Sequence, residues 1–444
     1  MRKLILQWIS LSLTAGLLFT GTARSQSWFN ANITGQTWQG NARAMALGHV
    51  GTAEAFGVMN LFTNPALLAE KPGLRLEASS YSSHRLESRA YPMIDQFDDV
   101  VTDNIYNITE SWQTLYNAGG VWSTRHVALA VGTAPYWSPF FRYSEDVRGN
   151  LSSSNYNRDP LVGSFQWDRS GVVQETAFGL GSSFKNLKTG VSIGLFTGRN
   201  LNVTKGTVVI TPDAALDTDT TNVTAYDYEL DDAAILYRIG LSYDVTPRFR
   251  IAWNYESGTE MTFSTANEMP YYPQAASTPG YLSSDTTLSY TQTRPGRMSL
   301  GMRMQPRNLL RTSAYFEVER QDWSQFKSTY PDSIAGEIEM TSPFSETITF
   351  RGGVEHELFN GLPVRVGFIY AGSPLVKSLA QTWITMGSGY TYGNLVVDVA
   401  MKFGMVDYAY PDLFVATGQT HHGEETVHET TTKFALSLAY IFNR

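Results

Sequence analysis

The sequence predicts an all-β fold: a transmembrane antiparallel β-barrel of about 14 strands with an N-terminal hatch in the lumen. Three observations carry this. Apolar residues alternate at period two over many segments. Short turns alternate with long connections. Aromatic residues make up 13% of the 444-residue chain and charged residues only 17%, against about 25% in ordinary soluble domains.

The charge balance excludes some functions. The chain has 33 Lys+Arg against 41 Asp+Glu, a formal charge of −8. A nucleic-acid binder needs a basic face to neutralise phosphates. The chain has no cysteine, so it holds no disulfide, thiolate metal site or Cys nucleophile.

Taken in order, the first element is a targeting segment. Arg2 and Lys3 form a basic start, Leu4 to Phe19 is mostly apolar, and Ala23 and Ser25 supply small residues before Gln26. Residues 1–25 therefore read as a secretory signal peptide. Its removal takes away three basic residues and no acid, leaving the mature chain more acidic still. No later stretch reaches the length of an apolar transmembrane helix.

Residues 26–72 break the strand pattern. They are rich in Gly and Ala, and Asn64-Pro65-Ala66-Leu67-Leu68-Ala69 reads as a short helix with Asn64 as N-cap and Pro65 at the first position. A compact piece ahead of a large barrel is expected to sit in the lumen, where it converts a wide pore into a selective one.

Residues 73–444 form the barrel. Strands are expected near 73–83, 119–124, 126–137, 174–184, 190–205, 232–244, 249–264, 297–305, 309–320, 346–357, 363–371, 383–390, 394–405 and 431–442. In the last, Phe434, Leu436, Leu438, Tyr440 and Phe442 share one face. Tyr237, Ile239, Leu241 and Tyr243, then Phe249, Ile251, Trp253 and Tyr255, repeat the pattern around a short turn at Val245 to Arg248. A large apolar face with aromatics at its ends suits lipid contact. The longer connections are 84–118, 138–173, 206–231, 265–296, 321–345, 372–382 and 406–430. Short periplasmic turns opposed to long outer loops are the topology of bacterial outer-membrane barrels.

The run Asn41 to Ala53, with its Gly48 and Gly51, leads into Asn64-Pro65-Ala66, and this opening resembles that of the FadL-type outer-membrane transporters. Arg238 to Gly258, Asp322-Trp323-Ser324-Gln325-Phe326, Arg351 to Glu355, Arg365 to Tyr370 and Gly387 to Tyr390 are similar to later family motifs, in collinear order. The usual acidic pair after the glycine stretch is replaced near Glu54-Ala55-Phe56-Gly57, and Thr63 stands where an aromatic often precedes the Asn. The resemblance implies passive uptake of hydrophobic compounds, long-chain fatty acids or aromatic hydrocarbons. Capture would occur among outer loops, with an apolar lumen pocket, a hatch movement and a strand kink giving exit through the wall. Shuttle proteins of a secretion system share a similar opening, so a barrel binding secreted proteins is the alternative function.

Candidate ligand-binding residues follow from this. Phe56, Met59, Leu61 and Phe62 precede the Asn64-Pro65-Ala66 hatch motif, and either line the pocket or pack the hatch against the wall. In the first long connection Trp112, Leu115 and Tyr116 share a helical face near Ile105 and Ile108, either as a capture groove or as a helix resting on the rim. Arg238, Arg250, Arg297, Arg303, Arg311, Glu317, Glu319, Arg351, Glu355, Arg365 and Asp398 fall on the inward parity. They read as an ion-paired lumen wall, or as one that leaves an Arg for a ligand carboxylate.

Enzyme signals are weak. Gly190-Val191-Ser192-Ile193-Gly194 has hydrolase-elbow spacing but lies in an alternating strand rather than a strand-to-helix turn. His421, His422 and His428 with nearby Glu424, Glu425 and Glu429 lack metal-site spacing, and the acidic run Asp213 to Asp232 lacks calcium-loop order. No catalytic residue, metal or cofactor is expected. The expected location is the bacterial outer membrane. The expected partners are hydrophobic small molecules, membrane lipid and lipopolysaccharide, and the expected state is a monomer that binds no nucleic acid.

Overall fold

Period-two alternation becomes one closed sheet in the computed structural model. Twenty strand segments join in it: β1 (Gly73–Ile94), β2 (Val100–Ser123), β3 (Val127–Trp137), β4 (Phe141–Arg148), β5 (Leu161–Phe184), β6 (Leu187–Val209), β7 (Asn222–Leu230), β8 (Ile235–Thr246), β9 (Phe249–Glu256), β10 (Thr259–Ala266), β11 (Thr287–Arg294), β12 (Arg297–Met304), β13 (Arg311–Asp322), β14 (Lys327–Asp332), β15 (Gly336–Thr341), β16 (Glu346–Glu357), β17 (Pro363–Ala371), β18 (Gln381–Tyr392), β19 (Leu395–Pro411) and β20 (Glu424–Phe442). The structure describes residues 40–442 except 71, 96, 98, 149–160, 212–221, 232–233, 267–286, 308–310, 333–335, 342–343, 376–378 and 412–423. The expected signal peptide, His421, His422 and Asp213 to Asp219 lie outside the described residues.

Fourteen staves make the ring. β1, β2, β3, β5, β6, β8, β9, β12, β13, β16, β17, β18, β19 and β20 each pair antiparallel with the next. β20 closes on β1, with Leu74 to Ala90 opposite Phe442 to Thr426. Closure removes the sheet edges that hydrocarbon could not satisfy. The other segments extend staves at the long-loop end: β4 and β7 pair with β5 and β6, while β10, β11, β14 and β15 pair among themselves.

Side-chain chemistry fixes which face is out. On β20, Phe434, Leu436, Leu438, Tyr440 and Phe442 are 37–45% exposed, while Ala435, Ser437 and Ala439 between them are at most 5%. The same outward apolar row recurs on Val191, Ile193 and Leu195, on Met298, Leu300 and Met302, and on Val364, Val366 and Phe368. A continuous belt of this size is a lipid-facing surface. No helix among the described residues is long and apolar enough to cross a membrane.

The connections depart from the sequence reading. Residues 84–118 are not a loop: β1 and β2 are 22 and 24 residues long and form one tall hairpin. The ladder of β1 and β2 outlasts the hydrophobic alternation, because backbone pairing continues where the strands carry polar residues above the lipid belt. For the same reason the connections 138–173, 206–231, 265–296 and 321–345 contain β4, β7, β11, β14 and β15. The single strand expected at 249–264 is broken at Ser257-Gly258 into β9 and β10.

One seam of the ring is incomplete. β2 pairs with β3 only from Ala118–Ser123 to Ala128–Thr133, whereas its pairing with β1 runs on to Val100. β3 then shifts register against β5 between Pro135 and Trp137 and stops before Ser138-Pro139-Phe140. Those six paired residues cover about 15 Å of height at ~3.3 Å per residue and ~40° tilt, out of an apolar band about 25 Å tall. Above them no β2–β3 or β2–β4 backbone pairing exists among the described residues. Ser138 bridges the gap instead, its Oγ accepting from Gln113 Nε2 at 2.5 Å and donating to the Gly171 carbonyl at 2.8 Å.

Candidate functional site

Residues 40–70 lie within the ring and are bonded to strands on all sides. Asn41 caps the helix Ala42–Ala46 through Oδ1 to the Ala44 N–H at 3.0 Å. Its Nδ2 donates to Glu77 and to the Phe56 carbonyl. The Ala42 N–H donates to Ser437 Oγ at 2.6 Å, and the Gly48 N–H to Thr385 Oγ1 at 3.0 Å. Glu317 Oε2 accepts from both the Gly51 and Thr52 N–H groups, at 2.7 and 2.8 Å. Asn64 caps the 3-10 turn Pro65–Ala69 through the Ala66 N–H and donates to the Thr52 carbonyl at 2.6 Å. Asn64, Pro65 and Ala66 thus hold the segment's own backbone and its seat.

Inward glycines make the close approach feasible. A Cβ on Gly353 would lie 2.5 Å from the Leu47 carbonyl oxygen, and one on Gly367 would lie 2.5 Å from the Gly48 nitrogen. Side chains at these positions would push the segment off the wall.

Charges complete the seat. Arg43 bridges Glu54 at 2.9 Å and Glu355 at 2.8 Å. Burial works against its charge, but the two carboxylates hold its pKa well above the ordinary value. Glu70 meets Arg250 at 2.7 Å. Within the wall, Arg238 grips Glu175 bidentately at 2.5 and 2.9 Å and Glu256 at 2.7 Å. Arg351 bridges Glu317 and Glu319, Arg297 bridges Glu256, and Arg365 bridges Glu355 and Asp398. Arg303 lies 3.4 Å from Glu54. The inward-parity set therefore forms an ion-paired lumen wall, except that Arg311 is 85% exposed at the short-turn rim.

Above the segment lies a cavity of about 320 Å³. His49, Thr52 and Thr63 form part of its lining, and Tyr136, Phe140 and Trp323 contribute aromatic surface. Tyr136 and Phe140 come from either side of Ser138, so the cavity borders the incomplete seam. Higher still, Phe141, Tyr143, Trp167, Phe196, Phe263 and Phe326 belong to a buried cluster that fills the ring between the strand extensions.

The structure separates the expected ligand residues. Phe56, Met59, Leu61 and Phe62 are 0–2% exposed and form one cluster with Val58, Val121, Ala128, Ala130 and Ala177. None of the four lines the cavity; as the segment sits, they pack it against β2, β3 and β5. Trp112, Leu115 and Tyr116 share no helical face. They lie on β2, where Trp112 and Tyr116 point outward at 55% and 65% exposure and Leu115 points inward at 7%. Period two replaced period 3.6 because β1 supplies a continuous antiparallel partner. Ser192 of the elbow-like spacing is buried in β6 and donates to the Leu61 carbonyl at 2.9 Å. Among the described residues no His, Asp and Glu group could hold a metal ion.

Sequence reasoning missed four cavity cations, Arg85, Arg294, Lys402 and Lys433, and the indole of Trp383; Arg294 lies on β11, within the connection read over 265–296. Arg85 was hidden in the misread loop. Lys402 and Lys433 fall on the inward parity of strands that were recognised, so continuing the Asp398-Ala400 and Ala435-Ser437 alternation would have found them.

A lipid-belted ring whose lumen holds a bonded segment and a cavity defines a transmembrane barrel of the bacterial outer membrane. The chain belongs to the outer membrane protein transport protein family (OMPP1/FadL/TodX), which matches residues 170–442. The fold is similar to that of a Pseudomonas aeruginosa FadL homologue, with a TM-score of 0.64, 13% identity, and coverage of 91% of this chain and 98% of the other. It is also similar to the Ralstonia pickettii toluene transporter TbuX, at TM-score 0.54, 16% identity and 91% and 99% coverage. The Pseudomonas putida toluene transporter TodX gives a TM-score of 0.55, 14% identity and 92% and 99% coverage. No curated protein matches in sequence.

Proposed function

We propose that the protein carries hydrophobic compounds, long-chain fatty acids or aromatic hydrocarbons, across the outer membrane by facilitated diffusion. The observation that carries this reading is the incomplete β2–β3 seam beside the lumen cavity. A water-filled pore does not favour apolar solutes. A sheltered route recovers about 0.8 kcal/mol per methylene kept from water, and a side exit lets ligand enter lipid without crossing the aqueous periplasm. The toluene transport named for TbuX and TodX, which share the fold, supports the same class of cargo.

In this mechanism residues 26–72 are the hatch. Its seat on Glu317, Ser437 and Thr385 is polar and reversible, so it can shift without disturbing the β-ladder. A shift uncovers Phe56, Met59, Leu61 and Phe62 as an apolar lining continuous with the cavity. Trp112 and Tyr116, outward on β2 beside the seam, give leaving ligand an apolar landing surface, and Leu115 faces it from inside. The family and the similar folds are transport channels, which agrees with a protein that does no chemistry on its cargo.

The test is mass spectrometry of lipids extracted from the detergent-purified protein. A stoichiometric fatty acid or hydrocarbon is expected. A ligand-free barrel that instead retains a secreted protein would replace this reading with the shuttle function.

A further inference from the structure

The short-turn rim carries a charge opposite to that of the whole chain. The protein has a formal charge of −8, yet neighbouring turns at this end hold exposed cations. They are Arg125 between β2 and β3, Lys185 between β5 and β6, Arg248 between β8 and β9, and Arg307 between β12 and β13. None of these makes an ion pair among the described residues. Arg311, at the foot of β13, adds another exposed cation and meets Glu357 at 3.5 Å. Asp244, also near this rim, is already bonded to Lys188 and Arg250. The turns between β16 and β17 and between β18 and β19 hold no cation, and present Phe359 and Tyr392 instead. The cations therefore form an arc under the consecutive staves from β2 to β13, not a full ring.

Turn geometry does not ask for these residues. Lys185 sits at φ +52, a left-handed conformation that Gly or Asn adopts at less cost. Its ammonium lies 5.5 Å from the ring centre of Phe184. Each cation also borders the lower edge of the lipid belt. Arg125 is close in sequence to Val127, Lys185 to Phe184 and Leu187, Arg248 to Val245 and Ile251, and Arg307 to Met304, all of them exposed apolar residues. Long cationic side chains at such an edge lay their stems on apolar surface and put their charge at the headgroup level. A soluble acidic partner would meet the rim from below and would not need its cations beside the apolar belt.

We propose that this arc docks on acidic phospholipid headgroups of the periplasmic leaflet, of the phosphatidylglycerol type. Such a head offers a phosphodiester anion without a cation of its own, whereas a zwitterionic head competes with the arc for its own phosphate. Arg forks and the Lys185 point charge both suit phosphate oxygens. The contact fixes the height of the lower rim on the side where the β2–β3 pairing begins, at Ser123 and Ala128 just above Arg125. The inference does not depend on what passes through the lumen.

The test is native mass spectrometry of the full mature protein, delipidated in a maltoside detergent. The protein is offered equal amounts of phosphatidylglycerol and phosphatidylcholine with identical acyl chains. A cation near an anionic headgroup layer raises association about fivefold, so the retained lipid is expected to favour phosphatidylglycerol by about fivefold. Raised salt should shrink that preference. The combined variant Arg125→Gln, Lys185→Gln, Arg248→Gln and Arg307→Gln should retain the two lipids within twofold of each other. The pair Lys185→Gln with Arg248→Gln should fall between. A matched pair at the other end of the barrel, Arg142→Gln with Arg320→Gln, removes exposed charge and should keep the wild-type preference. Heat-modifiable gel mobility checks that each variant is a folded barrel, and the smaller rim pair carries the test if the combined variant does not fold. Equal retention of both lipids by the wild-type protein would overturn the proposal. So would a full preference in a folded rim variant, or an equal loss in the matched pair. Wild-type protein that shows no lipid preference but binds soluble polyglutamate through the arc would assign it to an acidic protein surface and overturn the lipid assignment.

Discussion

Glu317→Ala should loosen the lumen segment around Gly51 and Thr52 while sparing the barrel. One carboxylate oxygen of Glu317 holds the Gly51 and Thr52 N–H groups at 2.7 and 2.8 Å, and the other meets Arg351 at 2.7 Å. Hydrogen bonds to a charged group contribute about 1.5–3 kcal/mol each. Water in the lumen can replace part of that, so the loss for the pair is about 2–4 kcal/mol. At about 1.4 kcal/mol per decade, opening of the segment around residues 49–52 becomes about 30- to 700-fold more frequent. Hydrogen–deuterium exchange reads this directly, because exchange of transiently opened amides follows the opening equilibrium. Peptides covering 45–56 should lose protection by that factor, and peptides from β16 to β20 should not. Protection of 45–56 that changes less than threefold in a folded variant would refute the reasoning. The segment would then be held by its apolar contacts, and its polar seat would carry no control.

Other perturbations reach the remaining parts. Joining Gln113→Cys to Ser138→Cys with a short bis-maleimide should close the seam and abolish ligand transfer into lipid, while either single cysteine, capped, should transfer normally in the same liposome assay; the chain has no native cysteine to interfere. Gly353→Val should displace the helix Ala42–Ala46, because the added Cβ meets the Leu47 carbonyl; limited proteolysis should cut within 40–70 while the barrel stays intact. Arg238→Met leaves Glu175 and Glu256 buried without their shared cation, and should lower stability by about 3–5 kcal/mol in urea unfolding from detergent. Ser192→Ala removes one bond to Leu61, about 0.5–1.5 kcal/mol, and should change no ester hydrolysis relative to the wild-type protein.

The barrel was legible because lipid imposes a two-sided rule on every residue. β16 and β17 coincide with the segments read from alternation, since both faces there are unambiguous: Phe350 and Val366 outward, Arg351 and Arg365 inward. Above the lipid belt that rule lapses. Polar residues then stand on both faces of β1 and β2, and Trp112, Leu115 and Tyr116 matched a helical spacing by chance. The ion-paired wall was readable from parity alone, but the pairing of each Arg was not, because partners such as Arg238 and Glu175 are 63 residues apart. The cavity escaped notice for the same reason. It is assembled from the lumen segment and from strands all round the ring, among them Arg85 on β1, Glu256 on β9, Arg297 on β12, Arg351 on β16 and Lys433 on β20, each strand contributing one to three residues set far apart in sequence.

The most direct test of passage through the seam is uptake of labelled dodecanoate into liposomes holding the purified protein, compared with uptake of a labelled sugar. The account predicts protein-dependent dodecanoate transfer, no sugar transfer, and loss of dodecanoate transfer when the two introduced thiols of the double variant Q113C/S138C are joined. Sugar transfer at a rate like that of dodecanoate, or undiminished dodecanoate transfer with the seam joined, would contradict it.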